Sequence, residues 1–124
     1  MRRVASHFVF WKGWRRMHYV ELSDDGQLLG VEPLQEEIAG TEFYDGILLP
    51  VVASDTVTLR AARFEYPLDE DPAGCRRAAV NAILSAYHWT LPEPGDKVSL
   101  WSLQLSPAEF GTDNGCGNGY IQRL

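Results

Sequence analysis

The side chains in this chain that could do chemistry are three histidines, two cysteines and a few clustered acidic and aromatic residues. His7, His18 and His88 show neither His-x-His nor His-Glu-x-x-His spacing. If Lys12-Gly13 forms a two-residue turn, positions summing to 25 face each other, and His7 lies opposite His18 on one face of a hairpin. Such a pair could hold Zn²⁺ with a nearby carboxylate. His7, His18 and Asp55 are therefore the weak ligand candidates, set against the simpler reading of polar side chains on solvated strands. A catalytic thiol needs a base and an orienting group beside it. Cys75, however, falls on an apolar helical stripe, and Cys116 lies in a glycine-rich stretch.

That stretch, residues 111–119, has the glycines of an anion cradle but no following Lys-Ser/Thr and no helix start. A flexible hairpin connection is the simpler reading. Asp113 is its only carboxylate, too few for an EF-hand-like calcium loop. Asp69-Glu70-Asp71 reads as a solvated turn before a helix, where negative charge is favourable. Trp11 and Trp14 flank the expected turn and are the candidate interface anchors, with a purely structural cross-strand pair as the alternative.

The chain has 124 residues, of which 45% are apolar and 23% charged, enough for one domain spanning 1–124. Seventeen acidic against eleven basic residues give a formal charge of −6, which argues against general binding to nucleic acid or anionic lipid. The apolar stretch after Met1-Arg2-Arg3 is broken by His7 and Lys12, so no targeting segment is expected. The longest apolar run, Ile47 to Ala53, is far too short to span a bilayer. Two widely separated cysteines fit free thiols in a reducing compartment, and the expected location is the cytoplasm.

Short strands occupy the first half. Residues 4–11 and 14–22 are rich in aromatic and β-branched side chains. Ser23-Asp24-Asp25-Gly26 is a second turn, residues 27–31 return as a third strand, and residues 42–49 form a fourth, bent at Gly46. Residues 56–66 also read as strand. Cys75, Ala78, Ala79, Ala82, Ile83, Ala86 and Tyr87 form a continuous stripe at helical period, with Ala82 at its middle. The spacing predicts a helix over about 72–89, with Asp71 as N-cap and Pro72 as first helical residue. Strand alternation resumes over 97–105 and again at 120–124.

Tyr19 to Val31, with its Asp-Gly turn, followed by Phe43-Tyr44-Asp45-Gly46-Ile47-Leu48-Leu49-Pro50, resembles the N-terminal β-sandwich segment of the amidohydrolase superfamily. Ala78-Ala79-Val80-Asn81-Ala82 and Glu93 to Ser102 resemble that family's late helix and the Pro-Gly-Lys turn and strand that re-enter the sandwich. Where the family continues into a metal-binding His-x-His pair, this chain has Val51 to Val57. Roughly 20 residues between Pro50 and Asp71 stand in place of the catalytic barrel, which needs about 200 or more. The resemblance thus implies the sandwich without the enzyme, and no catalytic residue carries over.

The resulting expectation is a mainly-β domain, a small sandwich or partly closed barrel with one packed helix. Residues 98–103 should share its β-structure with the N-terminal strands. Its expected role is a non-catalytic interaction or oligomerisation module, as a homodimer or with a protein partner. No metal or other cofactor is expected, and no hydrolysis of amide, ester or chlorinated-ring substrates. The alternative is a small-molecule binding protein or minor enzyme using the space where the barrel would be.

Overall fold

The computed structural model describes residues 1–36, 39–56, 59–106 and 116–124, with the backbone alone for 55, 56 and 116. Among these residues the protein is mainly β with a single α-helix. Its strands are β1 (Arg2–Phe10), β2 (Trp14–Leu22), β3 (Leu28–Pro33), β4 (Thr41–Val52), β5 (Ala61–Pro67), β6 (Val98–Ser106) and β7 (Cys116–Arg123). A short 3-10 turn, Ala53–Thr56, follows β4, and helix α1 spans Pro72–Tyr87. All seven strands join one sheet in the order β3-β2-β1-β4-β6-β7-β5. Among the described residues only β1 and β4 run parallel. The expected pairing of the C-terminal half with the N-terminal half is present, because β6 pairs antiparallel with β4 from Ile47↔Leu103 to Val52↔Val98.

The sheet curls until its first edge meets its middle. Gln27 bridges Lys97, Leu28 N donates to Asp96 O at 2.9 Å, and Val98 N donates to Gly26 O at 3.0 Å. Strands β3, β2, β1, β4 and β6 therefore form a partly closed barrel. Its interior holds Val4, Val9, Trp11, Val20, Leu22, Leu28, Val31, Leu48 and Leu100. A second core lies on the other face of β4 and β6, where Ile47, Leu49, Val51, Trp101 and Leu103 meet Val80 and Ile83 of α1. Both central strands are thus buried on both faces, and this two-sided burial is why Ile47 to Val51 is an unbroken apolar run.

β1 serves both cores, and its regular pairing is interrupted at His7, opposite Met17 with its positive φ of 51°. Its register with β4 shifts between Ser6 and Phe8, where β4 carries one extra residue. Val4 and Val9 both reach the barrel, while Phe8 and Phe10 face the second core. Gly46 sits at this bulge with φ +99° and its Cα against Leu103 O; a Cβ there would stand 2.5 Å from that oxygen. The bend expected at Gly46 is therefore fixed by both conformation and space.

The helix begins as its sequence predicts. Asp71 caps it by accepting from Ala73 N at 3.2 Å, and Pro72 is its first residue. It ends slightly before the expected 89, at Tyr87, because His88 turns left-handed (φ 55°) and Trp89 N bonds back to Leu84 O. The buried face is a correction to the expected stripe: Gly74, Ala79, Val80 and Ile83 are buried, whereas Ala82 is half-buried and Ala86 exposed. Val80 and Ile83 bury more apolar area than alanines can, so the helix turns them inward. Among the described residues no helix is long and apolar enough to cross a membrane.

Candidate functional site

The first hairpin has a three-residue loop, Trp11-Lys12-Gly13, with positive φ at Lys12 (52°) and Gly13 (109°). Paired positions therefore sum to 24, not 25, and His18 faces Ser6. The His7–His18 pair expected from a two-residue turn does not form. His7 instead lies edge-on to Phe43 (ring centroids 5.1 Å apart, 87°) with Nε2 3.4 Å from Asp45 Oδ1. His18 Nδ1 contacts Arg16 O at 2.8 Å. The backbone of Asp55 lies in the 3-10 turn, and its side chain falls outside the described residues, as do residues 111–115 of the glycine-rich loop with Asp113. Among the described residues no group of three or more His, Cys, Asp or Glu gathers as a metal site.

Trp11 faces inward. Its Nε1 donates to Pro92 O at 2.8 Å, Lys12 Nζ donates to Glu93 Oε2 at 2.6 Å, and the Arg15 guanidinium lies 5.4 Å from the indole centre. The tip is thereby tied to the segment before β6, and the indole offers little surface to a partner. Trp14, half-buried, packs edge-on to Phe10 with centroids 5.0 Å apart.

Three other places bring chemistry-bearing side chains together. At one end of the barrel Arg2 grips Glu42 with Nε at 2.6 Å and Nη2 at 3.1 Å, and Tyr44 OH donates to the same carboxylate at 3.1 Å. The hydrogen bond from Arg2 holds the Glu42 carboxyl below its usual range, and Glu42 in turn raises Arg2. This is a two-point ion pair, partly open to solvent, with Tyr44 as a third partner of the carboxylate.

On the outer face of the barrel, Phe43 (46% exposed) and Met17 (40%) line a concavity of about 500 Å³ with Leu34 and Thr41. Alternation alone carried this signal, since Phe43 and Tyr44 must point to opposite faces and Tyr44 packs on the barrel core.

The third place lies between β5 and the start of α1. Cys75 Sγ, in the first turn of the helix, bonds Asp69 O at 3.1 Å and accepts from Asp69 N at 3.3 Å. Tyr66, Cys75 and Arg76 line a concavity of about 440 Å³ with Leu105. Burial pushes the Tyr66 hydroxyl up, and Cys75 adds to the shift. Arg76 stacks its guanidinium 3.9 Å from the Phe8 ring centre. A thiol, a phenol and a guanidinium could together hold a small anionic or electrophilic group.

The glycines at 117 and 119 have a definite task in β7. Gly119 faces Phe64 and Gly117 faces Tyr66 across the β5–β7 ladder. A Cβ at Gly119 would lie 2.2 Å from Phe64 Cζ, and one at Gly117 2.4 Å from Tyr66 Cζ. These two belong to a strand that makes room for aromatic rings, not to an anion cradle or a loose connection. No protein-family model, curated protein or solved structure matches the chain.

Proposed function

We propose that the chain is a non-catalytic oligomerisation module that assembles with a second copy of itself. The observation that supports this most is the sheet's open end: β5 is its last strand, and among the described residues no strand pairs with its outer edge. Open edges of this kind are normally covered or paired. The likeness to a barrel-less amidohydrolase sandwich stands beside this reading as part of the same proposal. It draws support from segments 19–31, 43–50 and 93–102, which carry the resemblance and whose strands lie in one sheet.

Light scattering and sedimentation over a wide range of concentration test the reading. A mass of two chains that falls to one on dilution is expected, and a monomer throughout would overturn it. The concavity at Tyr66, Cys75 and Arg76 favours a second reading, a small-molecule binding protein or minor enzyme. Alkylation of Cys75 more than about tenfold faster than a free thiol of ordinary reactivity would favour that reading over the first.

A further inference from the structure

We infer that two copies of this chain join edge to edge through β5, in an antiparallel register centred on Phe64 that sets Arg63 of each copy opposite Glu65 of the other. The inference rests on the homo-oligomer reading above and gives it a location.

The hydrogen-bond phase of β7 fixes which groups of β5 are free. Leu124 N bonds Leu100 O and Arg123 N bonds Arg60 O, so alternate residues of β7 serve β6 and β5 in turn. The bonded partners in β5 are accordingly Ala62, Phe64 and Tyr66, opposite Ile121, Gly119 and Gly117. The backbone groups of Ala61, Arg63, Glu65 and Pro67 point outward. Pro67, which has no N–H to give, falls in the outward set, as a proline in an edge strand must.

Side chains follow the same alternation. Ala62 and Phe64 pack on the second core and Tyr66 is buried, while Arg63 and Glu65 are exposed on the opposite face. In a self-pairing centred on Phe64, Arg63 N–H meets Glu65 C=O of the other copy and Glu65 N–H meets Arg63 C=O, four bonds by symmetry. Ala61 N–H then reaches Pro67 C=O twice more. Each Arg–Glu pair also lies directly across the ladder, where opposite charges attract.

The charges select this register. Centred on Arg63, the pairing sets Arg63 against Arg63; centred on Glu65, it sets Glu65 against Glu65. Both neighbouring alternatives with the same bonding phase therefore place like charges opposite each other. Only the Phe64-centred register makes both pairs attractive.

The helix fits the same axis. α1 packs on β5, and Ala78, Asn81, Ala82, Ser85 and Ala86 line a shallow concavity with Pro67 of that strand. A two-fold axis through Phe64 and perpendicular to the sheet brings two antiparallel copies of α1 together on one side of a fourteen-stranded sheet. Small side chains allow the close helix approach this requires. It also gives a reason for Ala78, Ala82 and Ala86, which the monomer leaves half-buried or exposed.

The test uses the full chain with charge reversals at two exposed positions. Arg63→Glu and Glu65→Arg should each weaken the dimer by about tenfold or more, because two attractive pairs become two repulsive ones. The double variant Arg63→Glu/Glu65→Arg should restore it to within about threefold, since the pairs re-form with signs exchanged. Circular dichroism would verify that each variant is folded. A wild-type dimer indifferent to the single reversals, or one not rescued by the double, would overturn the β5 interface while leaving the homo-oligomer reading intact. A dimer lost on Phe43→Asp but unchanged by the β5 reversals would place the interface at the concavity beside Phe43 and Met17 and equally overturn the inference. A wild-type chain that is monomeric throughout would overturn both.

Discussion

The two ends of the sheet solve the problem of an exposed core in different ways. At the β3 end the sheet bends round on itself, and Leu28 and Gly95 exchange backbone bonds with each other's segment so that the start of that edge becomes a seam. At the β5 end the sheet stays open, and α1 is laid across it to cover Leu103, Ile121 and Trp101. The first solution uses short connections and leaves little outer edge unsatisfied at the seam. The second covers a face but not an edge, so it leaves β5 able to accept a strand. What joins the two regions is the pair β4 and β6, which lends one face to each core.

The sharpest way to break this picture is to cut at the shared strands. Leu48 and Leu49 are neighbours, both fully buried, facing opposite cores. Leu48→Ala and Leu49→Ala should each cost about 2–5 kcal/mol. Each should also lower a single cooperative urea transition, seen alike by tryptophan fluorescence and far-ultraviolet circular dichroism. Separate transitions for the two probes would mean that the barrel and the helix-covered region unfold independently.

A smaller effect is expected at the open end alone. Gly119→Ala sets a methyl group against the Phe64 ring and should destabilise by about 1–3 kcal/mol. Gly119→Ala in a Phe64→Ala background should cost distinctly less, because the clash has gone. Equal costs in the two backgrounds would show that the ring is not what excludes a side chain there.

The tryptophans compare the two cores directly. Trp11 in the barrel has its N–H satisfied by Pro92 O, whereas Trp101 in the second core has Nε1 buried without a partner among the described residues. Trp11→Phe should lose about 1 kcal/mol of hydrogen bonding. Trp101→Phe removes an unsatisfied donor, which offsets part of the lost ring area. It should therefore be the milder change although Trp101 is the more deeply buried. Denaturation midpoints in the reverse order would contradict the assigned partners.

The smallest effect concerns acid. Because Arg2 holds the folded-state Glu42 carboxyl below its unfolded value, this pair stabilises the fold above the ordinary glutamate range, and the contribution is lost as pH falls through the lowered folded-state range. Glu42→Gln should flatten the acid limb of the stability profile. At neutral pH it should cost at most about 1 kcal/mol, since the pair is partly exposed. An unchanged acid limb would remove Glu42 from the barrel's pH response.

Local chemistry was readable from the chain, and long-range partnership was not. Asp71 and Pro72 announced the helix start, and Ser23 to Gly26 announced a turn that the structure closes with Gly26 N to Ser23 O at 2.9 Å. A two-residue turn at Lys12-Gly13 puts the hairpin register off by one, because nothing in Lys12 itself reveals a left-handed backbone. That single residue moved His18 away from His7. The alanine stripe was an incomplete guide to the buried helix face, because Val80 and Ile83 had the stronger claim on a core whose shape the stripe could not disclose. Gly117 and Gly119 looked like a loop because the rings that need their space, Tyr66 and Phe64, are about fifty residues earlier in the chain. The Tyr66–Cys75–Arg76 concavity depends likewise on the turn that brings α1 back over β5.

The order of strands also sets an order of events during synthesis. β5 and α1 leave the ribosome before β6 and β7, yet among the described residues β5 has no partner in the sheet except β7. Until residues 116–123 emerge, a finished helix and an unpaired strand must wait beside a sheet that lacks its middle, with Ile47, Leu49 and Val51 open to solvent. Pairings of such long sequence separation close slowly compared with a helix. A ribosome that pauses within the last forty residues would therefore hold the chain in its most aggregation-prone form, and synonymous changes that slow translation there should lower the yield of folded protein without altering the stability of what folds.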